Sequence, residues 1–186
     1  MAATNRATEV QKDTQDYLTT ALFQLLKTHQ LENISVTELV KRAGVSRMAF
    51  YRNYESINDI LVSYFEPIIA QTFDLIRTTA EPDVKQHFLQ QFFIDHVAEF
   101  KLATDHNFEF IIRNIFNEQM VQFYLESQSN LDIAENKLNY WTKFMSAGVY
   151  AMWREWILNP QNMPIEDLHQ LLSDFQIATM KTFYQK

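Results

Sequence analysis

From Lys41 to Arg52 the chain reads KRAGVSRMAFYR and carries four basic side chains, Lys41, Arg42, Arg47 and Arg52, with no acidic residue among them. Residues of these types suit one kind of chemistry. An arginine can donate two hydrogen bonds to a guanine edge, and a methionine can pack on a thymine methyl. A tyrosine one helical turn further on can reach a base or a phosphate through its hydroxyl. Arg47, Met48 and Tyr51 have the spacing for those roles, whereas Arg52 and Asn53 are better placed for phosphate, as are Ser35, Thr37 and Lys41 around the preceding helix. The candidate DNA contacts are therefore Ser35, Thr37, Lys41, Ser46, Arg47, Met48, Tyr51, Arg52 and Asn53. The plainer alternative is a surface helical corner with ordinary solvated arginines.

Those side chains need a scaffold, and the stretch from Ile34 to Tyr54 supplies one. Ser35 is placed to cap a short helix, and Glu38 three residues on completes the pattern of a reciprocal capping box. Leu39, Val40 and Ala43 give that helix an apolar face. Gly44 falls where it must stop, because a residue without Cβ adopts the left-handed conformation cheaply. Ser46 can then cap a second helix from Arg47 to about Asn53, with Phe50 directed to the core. A short helix, a glycine turn and a second helix bearing Arg and Tyr form the pattern of a helix-turn-helix.

The run from Ala21 to Leu61, above all SVTELVKRAGVSRMAFYRNYESINDIL, resembles the N-terminal DNA-binding domain of TetR/AcrR-type transcriptional regulators. The resemblance covers about the first third of the chain. It implies that Arg47, Met48, Tyr51 and Asn53 contact DNA, and that the last two helices form a dimeric four-helix bundle. Members of that family usually have Gly where Gln30 stands, Pro where Glu55 stands and Lys where Ile57 stands. That lysine commonly touches a phosphate, so one backbone contact of the pattern is questioned at Ile57. The segment YWTKFMSAGVYAMWREWILN is similar to the branch of the family that includes regulators of dihydroxyacetone kinase operons.

Composition narrows the remaining classes. Two glycines and four prolines in 186 residues argue for long helices, and the absence of cysteine excludes disulfides, thiolate metal sites and a cysteine nucleophile. No apolar run approaches the roughly 18 residues of a membrane span, and the expected location is the cytoplasm. Residues 1–65 hold seven basic and seven acidic side chains and the remainder nine and sixteen, so the whole net charge of −7 lies behind residue 65. A locally basic patch on a neutral front domain still suits phosphate, because the field at the contact decides.

Along the chain, residues 1–8 read as a mobile arm, followed by a helix from about Val10 to near His29. A fourth helix opens at Ser56 and Asp59 and contains Pro67, a candidate bend between front and rear. A fifth runs from Glu81-Pro82-Asp83 to about Ala103, and apolar segments follow at Phe108–Phe116 and Glu118–Leu125. SQSN, Ser127 to Asn130, reads as a loop. A long helix from about Ile133 to Leu158, stopped by Asn159-Pro160, and a last helix after Pro164 complete an all-α chain of about nine helices. The division expected is a helix-turn-helix domain over 1–55 and an effector-binding and dimerisation domain over 56–186.

In that rear domain Phe92, His96, Phe100, Phe110, Arg113, Asn114, Tyr140, Trp141 and Phe144 are candidate effector contacts, since a pocket in a helical bundle needs apolar walls and a few polar groups. At helical spacing such aromatics are more often core. Gly148, Met152, Leu168, Leu172 and Phe175 are candidate dimer contacts. Gly148 costs about 1 kcal/mol in mid-helix, which close approach of another helix, from a second copy or the same chain, would explain. No HExxH, paired ExxH, Gly-flanked Ser or phosphate loop is present, so neither catalytic nor metal residues are expected and no cofactor is implied. The reading is a ligand-responsive repressor that binds a palindromic DNA operator as a homodimer. The alternative keeps the fold but makes it an activator or co-activator controlled by a protein partner.

Overall fold

With so few glycines and prolines, little interrupts the 3.6-residue apolar period, and all regular structure among the described residues is helical. The computed structural model describes residues 2–127, 133–159 and 162–183. Nine α-helices stand among them: α1 Ala2–Leu26, α2 Val36–Ala43, α3 Arg47–Asn53, α4 Ile57–Thr78, α5 Pro82–Asp95, α6 Val97–Asp105, α7 Glu109–Ser127, α8 Glu135–Leu158 and α9 Ile165–Lys181. A single 3₁₀ turn, Leu31–Asn33, joins α1 to α2.

The helices gather into two packed units that divide the chain differently from a boundary at residue 55. The first takes residues 1–67 together with 99–112, and the second takes 68–98 with 113–186. In the first unit Leu18, Leu22 and Leu26 of α1, Leu39 of α2, Phe50 of α3 and Ile60 and Leu61 of α4 are fully buried. Phe108 joins that core, its ring 6.5 Å from Phe65. The second unit is built on aromatic stacking. Phe93 lies nearly parallel to Trp153 with ring centres 4.9 Å apart, and Phe116 meets Phe73 and Tyr150 at 5.4 and 5.5 Å. Trp141 of α8 donates from Nε1 to Thr179 Oγ1 of α9 at 3.0 Å, so its one polar atom is satisfied where its ring is buried.

Several local expectations are corrected. Residues 2–8 continue α1 rather than forming an arm; their sequence holds neither glycine nor proline to stop a helix. The helix expected to reach Ala103 breaks at His96, which adopts φ −110° and ψ 18° between α5 and α6. Phe108 to Leu125 is one helix in place of two segments, apart from its first residue, entered through Asn107 at φ 61°. Ser127 is the last residue of α7, and the rest of the SQSN stretch and Pro160 lie outside the described residues. At the start of α4 the cap comes from Asp59, whose Oδ2 accepts from the Glu55 and Ser56 amides at 2.9 and 2.7 Å. Helix α4 continues through Pro67.

Because Phe93 is fully buried and touches Phe92, Phe116 and Trp153, Phe93→Ala is expected to lower unfolding stability by about 3–5 kcal/mol. Urea denaturation followed by tryptophan fluorescence measures it; a loss below about 1 kcal/mol would contradict this packing.

Candidate nucleic-acid interface

The corner that presents α3 is held by three local devices. Ser35 Oγ accepts from the Glu38 amide at 3.1 Å and so caps α2. Glu38 does not return the bond to Ser35; its carboxylate lies 3.9 Å from His29 Nε2, so only half of the expected box forms. Gly44 takes φ 69° and ψ 26°, and the amides of Gly44 and Val45 both reach the Val40 carbonyl, which ends α2 and turns the chain. Ser46 Oγ then accepts from the Ala49 amide at 3.0 Å and starts α3.

Helix α3 has two faces. Phe50 is fully buried, whereas Arg47, Met48, Tyr51 and Arg52 are exposed, Met48 by 74%. Arg47 and Tyr51 act as a pair, with Nη2 3.5 Å from the tyrosine hydroxyl and the guanidinium carbon 5.9 Å from the ring centre. Ser35, Thr37, Lys41 and Ser46 are exposed beside them. Asn53 is half-buried and its Nδ2 donates to the Ala49 carbonyl at 2.7 Å, so its amide is engaged by its own helix. Lys41, Arg42, Arg47 and Arg52 form no ion pair among the described residues, which leaves their charge uncompensated at the surface. Arg42, absent from the candidate contacts, donates from Nε to Gln24 Oε1 at 2.9 Å.

Behind the corner, a hydrogen-bonded seam joins the α1–α2 connection to the end of α6. Gln30 Nε2 donates to the Asp105 carbonyl at 2.9 Å, the Leu31 amide donates to the His106 carbonyl at 3.1 Å, and His106 Nδ1 lies 3.0 Å from the His29 carbonyl. A carbonyl only accepts, so this last bond requires the proton on His106 Nδ1. Gln30 has φ −67°, an ordinary extended conformation that needs no glycine, and its side chain accounts for its presence there.

The candidate effector contacts do not converge on one cavity. Phe92 and His96 line a cleft of about 190 Å³ with Phe88 and Thr72. Phe100 is buried in the first unit, and Phe110 is exposed at the edge of a separate groove with Leu31, Ile34 and Ile57. Arg113 and Asn114 are exposed, because they fall between the buried pairs Ile111–Ile112 and Ile115–Phe116 on the outer side of α7. Trp141 is buried while its neighbours along α8, Tyr140 and Phe144, are 79% and 65% exposed.

The residues singled out for a dimer divide similarly. Gly148 and Phe175 are at the surface, and a Cβ built at Gly148 meets no atom within 4 Å, so no crossing among the described residues accounts for that glycine. Met152 lines an apolar cleft of about 320 Å³ between α8 and α9, Leu172 lines another, and Leu168 is buried inside the protomer.

Sequence reasoning missed a cleft of the second unit, about 370 Å³, lined by Phe73, Lys85, Leu89, Met120, Tyr124 and Leu172 among others. Burial pushes the Tyr124 phenol well above its usual range. Near the same helix, the Gln122 amide, ahead of Arg77, lowers the Glu126 carboxyl, and Arg77 donates to both Glu126 and Gln119. In the first unit burial, and secondarily Glu99, raise Tyr64.

Together, the nine helices among the described residues and the capped corner make an all-helical fold that is shared with solved TetR-family regulators. Among solved structures the chain is similar to a dihydroxyacetone kinase operon activator, DhaS, at 18% identity and TM-score 0.55, covering 91% of this chain and 97% of that one. It is similar to FadR from Bacillus halodurans, a fatty acid degradation regulator, at 18% identity and TM-score 0.55 over 86% and 94% of the two chains. It is also similar to FadR from Thermus thermophilus, a TetR-family repressor solved with lauroyl-CoA, at 17% identity and TM-score 0.53 over 86% and 90%. No protein-family model and no curated protein matches the chain.

If the seam steadies the corner, Gln30→Ala should lower the stability of α1–α3 by about 1 kcal/mol, the net worth of one hydrogen bond. Amide exchange in α1–α3 reads this out, and unchanged protection would contradict the seam's role.

Proposed function

We propose that this protein is a sequence-specific DNA-binding transcriptional regulator that acts as a homodimer on a palindromic operator. The observation that carries the reading is the exposed, ion-pair-free face of α3, with Arg47, Met48 and Tyr51 projecting from a doubly capped helix-turn-helix. Arg47 would pair with a guanine edge and Met48 would pack on a thymine methyl. Ser35, Thr37, Lys41 and Arg52 would hold phosphates and set the register. Asn53, engaged with Ala49, would contribute less.

One corner reads only a few base pairs, so two must act about 34–36 Å apart on successive major grooves. Exposed Tyr140, Phe144, Ala147, Gly148 and Ala151 on α8 and Phe175 on α9 support a second copy of the chain as the partner. A two-fold axis near Gly148 would set Phe144 of one copy opposite Met152 of the other, an aromatic knob against an apolar cleft.

Control would come from a small molecule in the second unit that binds the DNA-competent and DNA-incompetent states with different affinity, since no other ligand shifts the equilibrium. Pro67, inside α4 at the end of the first unit, is the candidate bend. The sign of regulation is open to both readings, because proteins with this fold include one described as an activator and one described as a repressor. Among the described residues no group of three His, Cys, Asp or Glu is arranged to hold a metal. No helix among them is long and apolar enough to cross a membrane.

Selection from a pool of random duplexes, followed by sequencing, tests this reading. A palindrome should be enriched, and Arg47→Ala should weaken its binding by about 1–3 kcal/mol while relaxing one position in each half-site. Phe144→Glu should leave a monomer by light scattering that no longer selects the palindrome. Salt-sensitive binding with no preferred sequence would reject the reading.

A further inference from the structure

The 370 Å³ cleft of the second unit has a lining whose chemistry points to a ligand class. Phe73 and Ile76 of α4, Leu89 of α5, Met120 of α7, Val149 of α8 and Leu172 of α9 make most of its wall apolar, with Gln86, Ser127, Ser173 and Gln176 adding uncharged polar groups. Its volume falls within the range of small-molecule sites, about 300–1,000 Å³. Among the lining residues Lys85 alone is charged, and no carboxylate lines the cleft. Lys85 is half-buried, with Nζ 5.4 Å from the Phe123 ring centre, and forms no ion pair among the described residues. That is unusual company for a cation, because the chain behind residue 65 has an excess of seven acidic groups. Arg77, by contrast, is held by Asp74 and Glu126.

Tyr124 supplies a second, independent sign. It is only 3% exposed and it lines the same cleft, where its phenol can donate to an acceptor bound beside Lys85. Desolvation keeps this phenol protonated, so it can donate.

We propose that this cleft binds a hydrophobic monocarboxylate, with its tail against Phe73, Leu89 and Met120 and its carboxylate taken by the Lys85 ammonium and the Tyr124 hydroxyl. A carboxylate accepts from both donors, and charge-assisted bonds of this kind are the strong ones. An amine of the same length meets the Lys85 charge with the wrong sign. An alcohol loses the charge-assisted bond, and a hydrocarbon leaves both donors unanswered. The proposal rests on the reading that a small molecule controls the protein, and it specifies the site and the class.

Decanoate, decanol and decylamine, matched in tail length, test it by titration calorimetry on the full chain without DNA. Decanoate should bind once per chain, at least tenfold more tightly than either neutral or cationic analogue. Lys85→Met should weaken decanoate at least tenfold and bring it level with decanol, whereas Leu89→Trp, which fills the cleft, should abolish both. Lys85 is outside the core, so its variant keeps the test readable if Leu89→Trp does not fold. Equal affinity for the three probes, no binding of decanoate, or decanoate binding unchanged in Lys85→Met would overturn the proposal. Because no DNA is present, failure here leaves the duplex selection standing, and failure of that selection leaves decanoate binding intact.

Discussion

A helix-turn-helix of some fifty residues buries too little apolar surface to stand well alone, and here its completion comes from residues far along the chain. Residues 29–31 are tied to residues 105–106 by the Gln30 side chain, the Leu31 amide and the His106 ring. Phe108, two residues beyond, is fully buried with Phe65 as a ring neighbour. The unit that carries α3 thus includes a segment 75 residues downstream, and residues 99–112 belong to the same packed unit as Arg47 and Tyr51.

The chemistry at the surface follows from that support. Phe50 anchors α3 from within, so its opposite side must present Arg47, Met48, Tyr51 and Arg52 outward. The Tyr51 ring and hydroxyl narrow the conformations of Arg47 before any ligand arrives, which reduces the entropy lost on binding. The acidic excess lies behind residue 65, so the uncompensated cations of the corner would meet phosphate without acidic neighbours of their own in the run from Lys41 to Arg52.

How far the sequence foretold these features depends on the range of the signal. The corner was legible because its determinants are adjacent: Ser35 before Glu38, Gly44 after Ala43 and Ser46 before Ala49 each act within four residues. The end of α8 at Leu158 and the start of α9 at Ile165 were legible from Asn159-Pro160 and Pro164 in the sequence. The break at His96 was not, because the residues from Phe93 to Ala98 include no glycine or proline and the apolar spacing runs on through it. The seam was invisible for a different reason, since Gln30 and Asp105 meet only through tertiary packing. The 370 Å³ cleft escaped likewise, being assembled from five helices, while Arg113 and Asn114 looked inward only because they neighbour buried isoleucines. Adjacent helical residues differ by about 100° in direction, and that difference sends Trp141 inward and Tyr140 outward.

The central claim is that α3 reads base edges in the major groove, twice per dimer. Methylation protection of guanine N7 on the selected duplex tests it most directly, because N7 lies on the edge an arginine fork would engage. Two protected patches with centres about 10 base pairs apart, or a multiple of that spacing, are predicted, and both should vanish with Arg47→Ala. A bound duplex with no N7 protection, or with protection indifferent to Arg47→Ala, would contradict it.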